Sequence, residues 1–182
     1  MGKFVVVLFV VFLVMLPQKT VASSFDGSYR TFCLNLEDDD LISYIDISNE
    51  NFVRTWMAFE DSKCISPYLS YVEKFKFKLS GMNWDGVIVE VGYQPQTKET
   101  AQVLNEINWC GFSNWSSGAY KEVSGRTCGD RITPQVGDAV YSILREELSK
   151  PGFRLGQPTL GFDGRTPGRR HQKWSDFWHY QL

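Results

Sequence analysis

The sequence contains few of the patterns that carry metal or cofactor chemistry. It has only two histidines and four cysteines in 182 residues. No cysteine has a second Cys or His two to four positions away, which is the spacing of a zinc knuckle. The histidines, His171 and His179, lie near the end of the chain, where we interpret them as surface residues. We therefore expect no metal site and no cofactor.

Signatures of a catalytic nucleophile are also missing. The chain has no Gly-x-Ser-x-Gly elbow of a serine hydrolase. A cysteine nucleophile needs a free thiol beside a histidine, whereas four cysteines most simply pair with one another. Sequence separation alone does not show whether two carboxylates lie at the distance that a glycosidase needs. We assign no catalytic residue, and a secreted hydrolase is the least supported of the functions considered.

Positively charged residues form few clusters. The only basic clusters are Lys74/Lys76/Lys78 and Arg165/Arg169/Arg170. The first alternates with period two, which is typical of the solvated face of a strand. A phosphate-binding surface needs more clustered Lys and Arg than this, so no nucleic-acid partner is expected.

The one long apolar run lies at the N-terminus. Lys3 precedes 13 apolar residues, Phe4 to Leu16, and Thr20-Val21-Ala22 follows. The pattern predicts a secretory signal peptide over residues 1–22, because a membrane span needs about 20 apolar residues. We expect one exported domain over residues 23–182, secreted or periplasmic and without a stable membrane anchor. Residues 1–22 hold two of the 19 basic residues and no acid, which leaves 17 basic against 21 acidic residues.

All four cysteines lie in the predicted exported part, where an oxidising compartment lets disulfides persist. Three pairings are formally possible. Because the chain has the pattern of successive hairpins, neighbouring strands can bring Cα atoms within the ~4.4–6.8 Å that a disulfide needs. This favours Cys33–Cys64 and Cys110–Cys128.

Alternation of apolar and polar residues predicts a protein made mainly of strands. It is clearest over Tyr68 to Leu79, and further strands are expected over residues 25–33, 41–47, 51–60 and along one face formed by Val87, Val89, Val91 and Tyr93. At least six strand candidates joined by short turns predict an all-β fold with little helix, whose antiparallel sheet closes or packs on itself.

Other segments have weaker patterns. We expect a loop over Gly81–Gly86, a short helix or turn over Thr100–Asn105, and a hairpin with edges at residues 109–112 and 115–123. The acidic run Glu37–Asp40 lacks the ligand spacing of a calcium loop, which favours a solvated turn. Residues 138–150 fit a helix or a strand, and spacing alone slightly favours the helix.

The order of several short motifs resembles a known family. These motifs are Gly27-x-Tyr29 with Cys33, Asp61-x-x-Cys64-x-x-Pro67 followed by Tyr68, Gly81, Cys110-Gly111 with Trp115, and Leu155-Gly156 before an arginine-bearing tail. The chain resembles the lipocalin-like half-barrel domain of the adenomatosis-polyposis-coli-down-regulated family, whose animal members are secreted or membrane-anchored Wnt inhibitors. Gly27-x-Tyr29 is also similar to the Gly-x-Trp of lipocalins.

The resemblance implies an antiparallel barrel or half-barrel with an apolar cleft that binds a lipid or acyl group. It also implies a strand where residues 138–156 lie. Tyr29 replaces the usual Trp, and a single copy of the domain without a membrane anchor is expected here. A Wnt role is therefore not carried over to this chain.

Five aromatic residues are candidates for an apolar ligand cleft in the mouth of a barrel. They are Trp56, Phe59, Phe75, Phe77 and Trp84. Our first hypothesis is an exported, non-enzymatic protein that holds an apolar or acylated ligand among them. In a filled barrel the same residues would form the core, and the protein would be an interaction module, such as an inhibitor of an extracytoplasmic protein or a carbohydrate binder that stacks sugars around residues 109–118.

Overall fold

The computed structural model describes residues 25–36, 39–147 and 150–182. The predicted signal peptide lies outside the described residues, as do Glu37 and Asp38 of the acidic run. The strands of the described part are β1 Gly27–Arg30, β2 Leu34–Asn35, β3 Asp40–Ser48, β4 Asn51–Phe59, β5 Pro67–Ser80, β6 Asn83–Pro95, β7 Lys121–Glu122, β8 Thr127–Cys128, β9 Arg131–Ile132, β10 Ala139–Glu147, β11 Lys150–Gln157, β12 Lys173–Trp174 and β13 His179–Gln181. Helix α1 spans Lys98–Glu106, and short 3-10 turns cover Trp109–Gly111 and Pro167–Arg169.

Eight of these strands form a closed ring. Hydrogen-bonded neighbours follow the order β1, β13, β11, β10, β6, β5, β4 and β3, and β3 pairs again with β1. All of the pairings in the ring are antiparallel. The predicted all-β fold, an antiparallel barrel with little helix, is confirmed. Closure gives each of these strands a neighbour on both sides, which protects the sheet edges.

The alternation along β5 positions the interior of the barrel. Phe75 and Phe77 are buried, whereas Lys76 and Lys78 are exposed on the other face. Together with Phe52 and Trp84 the two phenylalanines form an aromatic cluster, with Trp84 5.1 Å from Phe52 between ring centroids. The predicted amphipathic strand is confirmed.

The predicted single face of β6 is wrong because the strand contains a bulge. Lys74 pairs with Glu90 but Phe75 pairs with Ile88, so Val89 is an extra residue in β6. An extra residue reverses the inward and outward phase of a strand. Val89 is therefore 43% exposed, whereas Ile88 and Val91, on either side of it, are buried.

The predicted loop over residues 81–86 is also shorter than expected. Ser80 pairs with Asn83, which leaves Gly81 and Met82 as a two-residue turn. Gly81 has a φ of 60°, a left-handed conformation that favours glycine. Strand β6 therefore begins at Asn83 and carries Trp84 into the barrel.

Both predicted disulfides are present. Cys33–Cys64 and Cys110–Cys128 join Cα atoms 5.8 Å and 4.2 Å apart.

The predicted hairpin over residues 109–123 is wrong, because Asn108, Cys110 and Gly111 all have a positive φ, which is 53° at Cys110. Such a backbone forms a 3-10 turn here, and only β7 of that segment is a strand.

The ambiguous segment at residues 138–150 forms strand β10. It pairs with β6 on one side and β11 on the other, and Ser142 and Leu144 are buried with a period of two. Cross-strand pairing therefore overrides the helical spacing, and the strand implied by the family resemblance is the one observed.

The short helix expected near residues 100–105 is confirmed as α1, which Thr97 caps by accepting a hydrogen bond from the backbone N–H of Thr100 at 3.0 Å. The first strand is only four residues long, Gly27–Arg30.

Candidate functional site

The barrel contains a cavity of about 720 Å³ that is partly open to solvent, and we call it the first cavity. Its apolar wall comes from β4, β5, β6, β10 and β11. Apolar residues of this wall include Phe52, Phe75, Trp84, Ile88, Val140 and Leu155. Each lies at an inward position of its strand, so the period-two pattern that builds the sheet also lines this cavity.

An ion pair with a buried carboxylate also lines the first cavity. Arg54 and Glu73 are directly opposite each other on β4 and β5. Arg54 donates from Nε to Glu73 Oε2 at 2.8 Å and also from Nη2. The side chain of Glu73 is only 7% exposed, so the pair keeps both charges compensated where desolvation is costly. Tyr71 donates its hydroxyl to Glu73 Oε1 at 3.3 Å.

The prediction that His171 lies on the surface is wrong. His171 is 8% exposed, lines the first cavity, and its Nδ1 lies 3.0 Å from Ser142 Oγ. Its Nε2 is buried, and the backbone carbonyl groups of Asp163 and Gly156 interact with the ring. The ring packs against the backbone at Gly164, where a Cβ would lie 2.6 Å from Nε2. Burial lowers the pKa of His171, which favours the neutral ring.

His179 is buried more deeply still, again against the surface prediction. It is 0% exposed, its Nε2 lies 3.0 Å from Ser43 Oγ, and its ring stacks on Phe153 with centroids 5.3 Å apart. Burial, with a smaller contribution from the charge of Arg54, lowers the pKa of His179 to about 3. The ring is therefore neutral near pH 7 and contributes packing and a hydrogen bond.

The Ser142–His171 contact is the closest approach to a catalytic arrangement in the first cavity. A serine nucleophile needs a base that a third group orients. Asp163 lines the same cavity and interacts with the His171 ring, but its carboxylate is paired with Arg169, whose Nη2 lies 2.8 Å from Oδ2.

The five predicted cleft residues are distributed over different parts of the barrel. Phe75 and Trp84 line the first cavity. Phe77 is 4% exposed and packs behind Trp84 in the core, with ring centroids 6.1 Å apart. Trp56 lines a second cavity further along β4. Phe59 is 6% exposed at the end of β4 and lines neither of these two cavities.

Sequence reasoning missed the polar residues of the first cavity. Arg54 lies between the inward Phe52 and Trp56, and Glu73 lies between the inward Tyr71 and Phe75. Both charges therefore occur at the apolar phase of an alternating strand. A charged residue at an inward position on each of two neighbouring strands, a base on one and an acid on the other, was the signal from which this ion pair could have been predicted.

Two further properties concern metals and membranes. Among the described residues no group of three or more His, Cys, Asp or Glu side chains is arranged to hold a metal ion. Within the same residues no helix is long and apolar enough to cross a membrane.

Comparison with protein-family models gives no match for this chain, and no curated protein matches it.

Proposed function

We propose that this chain is an exported, non-enzymatic protein that binds a small apolar or acylated ligand in the first cavity. The observation that carries the proposal is the cavity itself. Its volume of about 720 Å³ falls within the roughly 300–1,000 Å³ that is usual for small-molecule sites. A filled barrel, as the alternative interaction module would have, leaves no such space.

The lining of the cavity supports an amphipathic ligand. The walls from Phe75, Trp84 and Leu155 suit a hydrocarbon chain, because burying apolar surface releases about 25 cal/mol per Å². Arg54 carries more N–H donors than its two bonds to Glu73 use. We propose that an ester or carboxyl oxygen of the ligand accepts hydrogen bonds from the remaining N–H groups of Arg54.

Export is part of the same proposal. Two disulfides fit an extracellular protein, and residues 1–22 have the pattern of a signal peptide. The closed antiparallel ring also supports the proposed kinship with lipocalin-like domains, in which a barrel carries the ligand.

The test is displacement of a fluorescent fatty acid. We expect dansyl-labelled undecanoic acid to bind the purified chain with a blue-shifted emission and dodecanoate to displace it. Val140→Trp adds a large ring on the cavity wall, and we expect it to weaken binding by about tenfold or more, which corresponds to about 1.4 kcal/mol.

The matched control is Val87→Trp, which adds the same ring on the outside of the neighbouring strand, where Val87 is 44% exposed. We expect its affinity to equal that of the unmodified chain. Absence of binding, or equal weakening by both variants, rejects the first cavity as the ligand site.

A further inference from the structure

A second cavity of about 460 Å³ lies at the end of the barrel where β3 begins, β4 ends and β5 begins. Moving along the inward face of β4, Phe52 and Arg54 line the first cavity, whereas Trp56 and Ala58 line the second. The second cavity is therefore a separate space in the same barrel.

Five aromatic side chains line the second cavity. They are Trp56, Tyr68, Tyr71, Tyr93 and Trp109. The rings face in different directions: Tyr71 and Tyr93 are 4.9 Å apart and tilted by 43°, and Tyr93 and Trp109 are 6.0 Å apart and tilted by 72°. The face of an aromatic ring is negative and attracts an organic cation, whereas its edge is positive, so the attraction comes from those rings whose faces border this space.

The ionisable groups of this cavity leave one negative charge uncompensated. Asp130 and Arg131 both line it, and their side chains are exposed. Arg131 Nε lies 3.9 Å from Asp130 Oδ1, so the two residues together add no net charge. Asp39 accepts a hydrogen bond from the hydroxyl of Tyr68. In the described part of the chain no Lys or Arg forms an ion pair with Asp39.

The charge of Arg54 does not offset Asp39. Its guanidinium lies 5.7 Å from the centroid of the Trp56 ring but is already paired with Glu73. The pKa of Tyr68 is raised mainly by burial and further by the neighbouring Asp39. The phenol therefore remains a neutral donor that holds the carboxylate at the cavity wall.

From the aromatic walls and from Asp39, which has no ion-pair partner in the described part of the chain, we propose that the second cavity binds a small organic ammonium ion, of the trimethylammonium or alkylamine class. The argument for this site does not rest on the ligand proposed for the first cavity.

The decisive experiment compares choline with dimethylbutanol, its neutral analogue in which carbon replaces the nitrogen. Both are titrated into the full exported chain by calorimetry. Because the two differ only in charge, we expect choline to bind at least about tenfold more tightly. Equal affinities, or binding of glucose with no binding of choline, overturn the proposal, and the second result indicates a sugar site instead.

A pair of variants locates the charge that matters. Asp39→Asn keeps the shape and the acceptor for Tyr68 but removes the charge, and we expect choline affinity to fall by about fivefold to tenfold. Asp46→Asn removes the same charge near the other end of β3, where Asp46 is exposed and accepts from Ser28. We expect it to bind choline normally, and equal effects of the two variants contradict the assignment of Asp39. The comparison of choline with its analogue stands even if a variant fails to fold.

Discussion

We expect the buried ring of His179 to make the folding stability of this protein sensitive to acid. The ring is 0% exposed, and burial together with the charge of Arg54 lowers the pKa of His179 from 6.5 to about 3. Below pH 6.5 the unfolded chain takes up a proton on this residue that the folded chain excludes. Stability that is present above the unfolded pKa is therefore lost as the pH falls toward the folded pKa.

The size of the effect follows from the two pKa values. One pKa unit corresponds to about 1.4 kcal/mol between protonation states. Relative to neutral pH, His179 therefore lowers the free energy of unfolding by about 2 kcal/mol at about pH 5 and by about 5 kcal/mol below about pH 3. A loss of about 2 kcal/mol is a large fraction of the total for a domain of this size.

Urea unfolding at about pH 7.5 and about pH 5, followed by tryptophan fluorescence, measures this loss. Replacing His179 with Asn removes the titrating ring, so we expect the variant to lose about 2 kcal/mol less than the unmodified chain over that interval. Ser43→Ala deletes the hydrogen-bond partner but keeps the ring, and we expect it to retain the full pH dependence. If the His179→Asn variant loses as much stability as the unmodified chain, the argument from burial is refuted.

Two further predictions concern stability. Replacing both Cys33 and Cys64 with Ala opens a cross-link of sequence separation 31, and we expect the free energy of unfolding in urea to fall by about 3.7 kcal/mol on the chain-entropy relation; a loss below about 1 kcal/mol contradicts it. A Cβ on Gly86 would lie 2.5 Å from the Trp84 ring, so Gly86→Ala is expected to cost about 1–3 kcal/mol. Gly168→Ala, at a position with no atom within 4 Å of the added Cβ, should leave the thermal midpoint nearly unchanged, and equal shifts for the two variants argue against the close contact.

The meander of the barrel could be predicted because it depends on local signals. The alternation along β5 is long enough to define an inner and an outer face, and a sequence of hairpins brings successive cysteines together. The bulge at Val89 could not be predicted, because Val87, Ile88 and Val89 are all apolar. Only the pairing with β5 decides which of them faces inward.

The polar interior was not predicted because its contacts depend on the register between strands. Arg54 and Glu73 each interrupt an apolar face, and the sequence does not say that they are opposite each other. The position of His179 depends on a still longer contact, since Ser43 lies 136 residues earlier. A tail without periodicity gives no indication of which residues it will bury.

One stretch of chain, residues 125–135, forms part of the wall of both cavities. Gly125 and residues 132–135 face the first cavity, whereas Cys128, Asp130 and Arg131 face the second, and the disulfide to Cys110 anchors this stretch. A ligand that shifts it while entering one space alters the shape of the other. Thermodynamic linkage then makes the influence mutual: whatever factor one occupant imposes on the affinity of the second, the second imposes on the first.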